Sequence, residues 1–297
     1  MTAAHGHENI VLEDGHLSQR DIQRYWDQGF LFPVTLMSEQ DTASARESFE
    51  AMEKTWSAPG KLPRPFGNYC RLNAHYVMPF AYQIASSPQV LDVIEGVLGP
   101  DILIYSVEFM IKEPHSPKII TMHQDLTYWG LGATSDVVTA WIALSPATRE
   151  SGCMEFVAES HKNPIMPHHD TFDADNMLSR GQEIAVDIAP EDRTTIALRP
   201  GQMSLHHGLM IHGSGPNVSD DRRIGVAIRY VTPKVSQEVA TQDYAMLVRG
   251  QDTLGNFIHV TPPQTPFSPD SMEEYDRIRS LQAEATMDGV DDKKFYS

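Results

Sequence analysis

Apolar positions in the first hundred residues recur at helical spacing in three segments. Each segment starts at serine or proline, residues that favour a helix N-terminus, and two of the three stop at glycine. Between the second and third segments, residues 58–80 are rich in proline, glycine and aromatic side chains, which predicts a long irregular loop. The three predicted helices cover residues 18–30, the stretch that follows Ser38, and residues 88–98.

From residue 101 onward the pattern changes to short runs rich in β-branched and aromatic residues, separated by turn residues. Because no helices alternate with these runs, we expect an antiparallel sandwich or barrel rather than a parallel sheet with crossover helices. A last helix is predicted at residues 269–285, after a proline-rich stretch. The predicted strands are 102–112, 118–124, 137–144, 153–158, 183–188, 194–198, 202–206 and 224–231.

The whole pattern predicts one domain, residues 1–297, that is mainly β with flanking helices. We place a helical N-terminal part at about residues 18–98, a β core at about 101–231 and a C-terminal tail at 232–297. All-β sandwiches and barrels commonly reach this size as one unit.

Composition and charge narrow the classes of partner. The 40 acidic residues outnumber the 23 basic ones, and a surface with a formal charge of −17 repels phosphate backbones and anionic lipid. We therefore expect a small-molecule substrate, and neither nucleic acid nor membrane. A local basic pocket for an anionic small molecule is compatible with this charge. The two cysteines fit reduced thiols, and the first residues lack a signal-peptide pattern, so a cytoplasmic location is expected.

The segment from Thr121 to Trp129 carries the first candidate for chemistry. His123 and Asp125 stand two positions apart at the end of a predicted strand, where side chains at i and i+2 share a face. An imidazole nitrogen and a carboxylate oxygen on adjacent sites supply two of the three ligands of a facial triad for non-haem iron(II). On its own, this tripeptide fits a surface histidine beside a solvated aspartate equally well.

The second candidate is a histidine-rich stretch that precedes a glycine-containing turn. His212 ends a strand-like run and meets Gly-Ser-Gly-Pro-Asn, and Arg223 follows eleven positions later. His206 and His207 compete with His212 as a third metal ligand. Asparagine and valine, not arginine, stand eleven positions after those two histidines, which favours His212.

These motifs resemble those of the phytanoyl-CoA dioxygenase family of iron(II)- and 2-oxoglutarate-dependent oxygenases. The resemblance spans roughly residues 18–231 and implies a double-stranded β-helix (jelly-roll) core. It also implies Fe(II) as the metal and 2-oxoglutarate and O2 as co-substrates. Succinate and CO2 would be released as a C–H bond of a small or medium organic metabolite is hydroxylated. The motifs are H-Q-D-L-x-Y at 123–128, A-W at 140–141, G-C followed by S-H at 152–161, and H-G-S-x-x-N-x-S-x-x-x-R at 212–223.

The resemblance implies roles for four residues. His123, Asp125 and His212 correspond to the iron ligands, and Arg223 to the residue that binds the distal carboxylate of 2-oxoglutarate through its planar fork. Arg222 is the neighbouring alternative. Arg223 is favoured because it shares alternation parity with small residues at 225 and 227, which leave room for a co-substrate. Arg222 is expected to face solvent.

Further residues are expected around this centre. Ser214 resembles a hydroxyl that assists the arginine, and Trp141 a tryptophan that flanks the co-substrate. Lys112 matches a lysine of the family, although a solvent-facing position at a strand end fits it equally. Glu108 and Arg229 are candidates to line the pocket. A plain structural role is favoured for the glutamate, and pairing with an acidic neighbour for the arginine.

Other functions are less well supported by the sequence. A halogenase of the same family needs alanine or glycine in place of the carboxylate ligand, and Asp125 is present, so hydroxylation is favoured. Nothing supports a metal-binding pseudoenzyme, since the three ligands and the arginine are intact. A cupin-like metalloenzyme that does not use 2-oxoglutarate is opposed by the spacing of Arg223.

Substrate choice is expected to depend on two irregular segments, residues 58–80 and 163–182, because the fold does not fix it. An acyl-CoA substrate would require a larger basic surface than this chain offers, so a small polar metabolite is favoured. Within the first segment, the polar residues suited to bind an anion are Arg71, Asn73, His75 and Tyr76.

Overall fold

The computed structural model describes residues 8–287, in which five helices precede most of the strands and one follows them. The helices are α1 (Gln19–Gln28), α2 (Glu39–Trp56), α3 (Phe66–Arg71), α4 (Pro79–Ala85), α5 (Pro88–Leu98) and α6 (Pro269–Thr286). In chain order the strands are β1 (Phe30–Thr35), β2 (Ile102–Lys112), β3 (Ile120–His123), β4 (Val137–Ala143), β5 (Met154–Val157), β6 (His168–Asp170), β7 (Gln182–Ile184), β8 (Arg193–Ile196), β9 (Gln202–His207), β10 (His212–Ser214), β11 (Arg223–Val231), β12 (Tyr244–Arg249) and β13 (Ile258–His259).

The strands form two main sheets. The major sheet has the order β1-β9-β4-β11-β2-β12-β13, and the minor sheet has the order β3-β10-β5-β8. β6 and β7 form a separate hairpin. Every pairing of these strands is antiparallel except that of β12 with β13. The predicted mainly β fold, with a jelly-roll core and flanking helices, is confirmed.

The predicted helices form where the sequence carries capping residues. The hydroxyl oxygens of Ser18 and Ser38 accept the backbone N–H groups of Asp21 and Asp41, at 3.2 and 3.1 Å, at the starts of α1 and α2. α1 ends where Gly29 adopts a left-handed φ of 85°, a conformation that glycine enters without steric cost. No helix within residues 8–287 is long and apolar enough to cross a lipid bilayer.

Residues 58–80 are more ordered than an irregular loop. They contain α3 and a turn of 3-10 helix at Ala74–Tyr76, and α4 begins at Pro79. Aromatic side chains that the sequence pattern could not assign to a periodic face are buried in the core here, among them Phe66 and Tyr69. Their burial stabilises the short helix α3, which has too few residues for helix propensity alone to stabilise it.

The β core extends beyond the predicted residues 101–231 at both ends. β1, from the predicted helical part, pairs with β9 at one edge of the major sheet, and β12, from the predicted tail, pairs with β2. Pro33 breaks the strand pattern of β1 in the sequence, yet an edge strand tolerates proline because one side of it needs no hydrogen-bond partner.

The two faces of the major sheet have different environments. On β11, Ile224, Val226 and Ile228 belong to the main hydrophobic core, which also includes side chains of α1, α2, α3 and α5. The alternate positions Arg223 and Arg229 line a cavity on the other face, together with residues of the minor sheet. These four helices therefore pack on one face of the sheet, and the cavity lies on the other.

Candidate metal centre

Two histidines face each other across neighbouring strands of the minor sheet. His212 on β10 is the direct register partner of His123 on β3, and their ring centroids are 4.2 Å apart. The Nδ1 atom of His123 lies 2.9 Å from the carbonyl oxygen of Thr121, and that of His212 lies 3.0 Å from the carbonyl oxygen of Met210. With Nδ1–H donating to a carbonyl, Nε2 of each ring keeps its lone pair for a metal.

Asp125 completes the cluster from a turn and not from a strand. β3 ends at His123, and Asp125 begins a short 3-10 turn at Asp125–Thr127. The expectation that the two residues share a strand face is therefore wrong, although their side chains do converge. Oδ1 of Asp125 lies 3.4 Å from Nε2 of His123 and 4.0 Å from Nε2 of His212.

The second carboxylate oxygen of Asp125 is held by the major sheet. Thr139 Oγ1 donates to Oδ2 at 3.2 Å, and Nε of Arg229 lies 3.9 Å from it. Burial alone would raise the pKa of Asp125, but Arg229 and the neighbouring histidines hold it well below its ordinary value. Thr139 was not identified from the sequence. Thr139 lies two positions before Trp141 on β4, so the two side chains share a strand face, and both line the cavity. This spacing is the sequence feature that could have identified Thr139.

The donor set fits a divalent transition metal. The three ligand atoms lie within 4.8 Å of one another, and all three residues are buried. Donors that share one such ion at about 2 Å are separated by roughly 3–4 Å. Burial lowers the pKa of His212 well below its ordinary value, which keeps the imidazole neutral, and Asp125 is ionised. Two neutral nitrogens and one carboxylate form the donor set of non-haem iron(II) oxygenases.

The competing histidines lie outside this cluster. His206 on β9 lines the cavity, and its Nε2 is 3.7 Å from Oδ2 of Asp125, the oxygen that faces away from the other two ligands. His207 occupies the opposite face of the strand. Its Nδ1 accepts the backbone N–H of Leu209 at 3.0 Å, and its ring contacts Trp26 at a centroid distance of 6.2 Å.

The two adjacent arginines point in opposite directions. Arg222 forms ion pairs at 2.6 Å with Glu53 on α2 and with Glu113. Arg223 lines the cavity, is 1% exposed, and donates to the carbonyl oxygen of Gly152. Within residues 8–287 it forms no ion pair, and its Nε lacks a hydrogen-bond acceptor. Burial lowers the pKa of Arg223 to about 10, so this guanidinium is a buried cation without a carboxylate partner in the described chain.

Glycine at position 225 makes room for Trp141. A Cβ atom at Gly225 would overlap the indole ring, which belongs to the neighbouring strand β4. The same ring lies 5.5 Å from the guanidinium carbon of Arg223. The small residue expected to leave space for a co-substrate therefore leaves space for the tryptophan that packs on the arginine.

Gly225→Ala is accordingly expected to displace the indole and loosen Arg223. Overpacking of this kind costs about 1–3 kcal/mol of stability. We expect a lower melting temperature together with a raised apparent KM for 2-oxoglutarate. Gly215→Ala is a matched control, because open space surrounds a Cβ atom there. An unchanged apparent KM in the Gly225 variant would contradict this role of Trp141.

Lys112 is buried beside Ser214, which lines the cavity, so the solvent-facing alternative is wrong. Its ammonium is fully buried and donates to Oγ of Ser214 at 2.7 Å and to the carbonyl oxygens of Ser214 and Gly215. Burial and the nearby Arg223 lower the pKa of Lys112 to about 6. The nitrogen of Lys112 fixes the Ser214 hydroxyl as one of its acceptors.

Other candidates from the sequence divide into two groups. Glu108 and Arg229 both line the cavity, and their side chains are paired at 3.0 Å. Arg71 also lines it. The other three residues suggested for anion binding are buried in the fold and do not line the cavity: Asn73, His75 and Tyr76.

Comparison with known proteins identifies the family that this chain resembles. The family model of phytanoyl-CoA dioxygenase matches residues 25–225. Peroxisomal phytanoyl-CoA dioxygenase of Rattus norvegicus is 24% identical over 242 residues, which cover 74% of this chain and 70% of that protein. The 1-deoxypentalenic acid 11-beta-hydroxylase of Streptomyces arenae is 33% identical over 142 residues, 45% of this chain and 50% of the hydroxylase.

Solved structures agree with the sequence comparison. The apo structure of the non-heme monooxygenase ThoJ has a TM-score of 0.79 and 31% identity, covering 89% of this chain and 96% of ThoJ. CytC3 with Fe(II) and alpha-ketoglutarate has a TM-score of 0.61 at 17% identity, which shows a shared fold. The matched residues 25–225 contain His123, Asp125, His212 and Arg223, and the chain belongs to the phytanoyl-CoA dioxygenase family.

Proposed function

We propose that the protein is an Fe(II)- and 2-oxoglutarate-dependent dioxygenase that hydroxylates a C–H bond of a small or medium organic molecule, releasing succinate and CO2. The observation that carries this proposal is one cavity that contains a His-Asp-His cluster together with Arg223, a buried cation that forms no ion pair with an acidic side chain of residues 8–287. A co-substrate that chelates a metal at one end and carries a carboxylate at the other needs both features. A cupin-like metal site without 2-oxoglutarate has no use for the arginine.

In this proposal His123, Asp125 and His212 hold Fe(II), and Arg223 binds the distal carboxylate of 2-oxoglutarate. When bound, Fe(II) and 2-oxoglutarate supply the oxidising chemistry that activates O2 toward a C–H bond. The residues of the chain bind Fe(II) and 2-oxoglutarate and orient them. A desolvated carboxylate needs a paired cation, and the guanidinium fork offers two parallel donors to it.

Ser214 and Lys112 assist the arginine. Ser214 Oγ accepts a hydrogen bond from Lys112, so its own hydroxyl proton remains available to donate to the co-substrate carboxylate. Arg223 supplies the charge that binds the distal carboxylate, and the Trp141 ring, 5.5 Å from the guanidinium carbon, shields that charge from water.

Hydroxylation is favoured over other outcomes of the same chemistry. Asp125 provides a carboxylate at the position that a halogenase leaves open for halide. The names of two relatives, a hydroxylase from Streptomyces arenae and the monooxygenase ThoJ, support oxygen insertion.

The experiment that tests the proposed function compares His212→Ala with His206→Gln. We expect His212→Ala to lose Fe(II) binding and 2-oxoglutarate-dependent succinate release, because one of three protein ligands is removed. His206→Gln should retain Fe(II), because its ring lies outside the cluster. The measurements are iron content after anaerobic reconstitution and succinate formed in the presence of a metabolite panel. Full iron binding by His212→Ala would reassign the third ligand.

A further inference from the structure

Three neighbouring strands of the major sheet present polar side chains in one row toward the metal cluster. His206 on β9 is the register partner of Thr139 on β4, and Thr139 is the register partner of Arg229 on β11. Residues directly opposite each other on antiparallel strands place their side chains on the same face of the sheet. All three residues line the cavity, so the row meets Asp125 from the side of the major sheet.

The two carboxylate oxygens of Asp125 have different neighbours. Oδ1 faces the two candidate histidine ligands. Oδ2 faces the row, at 3.2 Å from Oγ1 of Thr139, 3.7 Å from Nε2 of His206 and 3.9 Å from Nε of Arg229. Of these three contacts, only that with Thr139 is a hydrogen bond, because N–H···O hydrogen bonds are about 2.7–3.2 Å long.

His206 is a buried imidazole that makes no hydrogen bond. It is 1% exposed, and within residues 8–287 both of its ring nitrogens lack a hydrogen-bond partner. The ring contacts His212 and Phe156, with centroid distances of 4.5 and 5.0 Å. A buried N–H without an acceptor costs free energy, so an apolar side chain would serve better at a position that only fills space. The polar atoms of His206 therefore indicate a hydrogen-bond partner in the loaded site.

Oδ2 of Asp125 is the acceptor that faces Nε2 of His206. With a hydrogen on Nε2, a shift of about 0.5 Å brings the two atoms to hydrogen-bond distance. With the hydrogen on Nδ1 instead, Nε2 and Oδ2 would direct lone pairs at each other in a buried site, which is unfavourable. The geometry therefore favours an Nε2–H group directed at the carboxylate.

A second donor to Oδ2 has a consequence for the metal ligand. The torsion that rotates an aspartate carboxylate is broad, so the plane of the group is set by what its oxygens bind. Thr139 offers one hydroxyl, which can rotate away from Oδ2. The ring of His206 is rigid and enclosed, so a hydrogen bond from it would fix the carboxylate with Oδ1 toward the two histidine ligands.

We propose that His206 is a positioning residue that donates from Nε2 to Oδ2 of Asp125 when Oδ1 binds the metal, and so holds this ligand in its binding orientation. The inference rests on the proposed function, because it requires Asp125 to be a ligand of Fe(II). His206 acts through Asp125 and is not itself a ligand.

The test compares His206→Met with His206→Gln. The two new side chains are similar in length, but only glutamine offers an N–H donor. Affinity for Fe(II) is measured by anaerobic titration without 2-oxoglutarate, and the visible absorption spectrum of the Co(II)-loaded protein reports the coordination of the metal. We expect His206→Met to bind Fe(II) about tenfold to a hundredfold more weakly, the usual effect of removing a group that orients a metal ligand, and to change the Co(II) spectrum. His206→Gln should resemble the unaltered protein in both measurements.

His207→Met is the matched control. It makes the same substitution at the next residue of β9, on the opposite face, where the ring accepts the backbone N–H of Leu209. Loss of that hydrogen bond should lower the melting temperature, whereas the affinity for Fe(II) should not change. His206→Phe keeps a planar ring without a donor, and it is the second donor-free variant if His206→Met fails to fold.

Several results would overturn the inference. One is a folded donor-free variant that binds Fe(II) as tightly as the unaltered protein or leaves the Co(II) spectrum unchanged. Another is a loss of affinity in His206→Gln or in His207→Met as large as that in His206→Met. Failure of both donor-free variants to fold, with His206→Gln folded, would also overturn it, because the imidazole would then serve the fold and not Asp125.

The two proposals fail separately. Loss of Fe(II) binding in His212→Ala, together with unchanged affinity in His206→Met, would overturn the positioning role alone. Weakened Fe(II) binding in His206→Met, in a protein that releases no succinate from 2-oxoglutarate, would overturn the proposed function alone.

Discussion

Asp125→Gly is expected to abolish hydroxylation while the protein stays folded. The carboxylate supplies the one charged ligand of the proposed iron site, and its Oδ1 faces the nitrogens of His123 and His212 at 3.4 and 4.0 Å. We expect substrate-dependent succinate release to fall by at least about three powers of ten, which corresponds to roughly 4 kcal/mol of transition-state stabilisation. The fold should persist because Asp125 lies in a short turn and Arg229 retains its pairing with Glu108.

Thr139→Val is expected to cause a smaller loss of activity than Asp125→Gly. It removes only the hydrogen bond to Oδ2 of Asp125 and preserves the shape of the side chain. Groups that orient a metal ligand typically contribute about 10–100-fold in affinity or activity. Turnover and circular dichroism are measured on both variants. Hydroxylation retained by Asp125→Gly would mean that the reactive metal is bound elsewhere.

Arg223→Ala is expected to raise the apparent KM for 2-oxoglutarate by about one to two powers of ten. A charge-assisted bidentate contact contributes about 1.5–3 kcal/mol, and Arg223 is buried where water cannot replace it. Arg223→Lys should recover part of the loss, since a single ammonium lacks the planar fork. Substrate affinity at saturating 2-oxoglutarate should change little.

Arg222→Ala is the neighbouring control. Its guanidinium faces away from the cavity toward Glu53 and Glu113, so its loss is expected to leave the apparent KM unchanged. Partly exposed pairs of this kind contribute little, about 0–1 kcal/mol each, so only a small drop in melting temperature is expected. A large KM effect in this variant, with a silent Arg223→Ala, would assign the anchor to Arg222.

Helices and strands with a regular apolar pattern, and the two motifs that contain His123 with Asp125 and His212 with Arg223, could be predicted from the sequence. Strand alternation predicted that Arg223 faces the cavity, and it does. Arg222 was expected to face solvent, but it precedes β11 and is partly buried against Glu53 and Glu113. The same alternation failed for Asp125, because β3 ends at His123 and the chain turns before the carboxylate. Convergence of the side chains was predicted correctly for the wrong geometric reason.

Features that depend on sheet register could not be read from one strand. Lys112 on β2 is the register partner of Arg223 on β11, and Thr139 on β4 is the register partner of Arg229 on β11. Neither pairing has a local signal, because two distant strands must first be aligned. The Glu108–Arg229 ion pair also joins two distant strands. The sequence analysis predicted that Arg229 pairs with an acidic residue but could not identify that residue as Glu108.

The cavity wall also includes three residues that follow the stretch matched by the family model, which ends at residue 225. Ala227 and Arg229 lie on β11, and Thr286 belongs to the final turn of α6. The metal-ligand cluster and this part of the wall thus come from different segments of the chain. Substitutions after residue 225 can therefore change the shape and charge of this wall without altering His123, Asp125, His212 or Arg223.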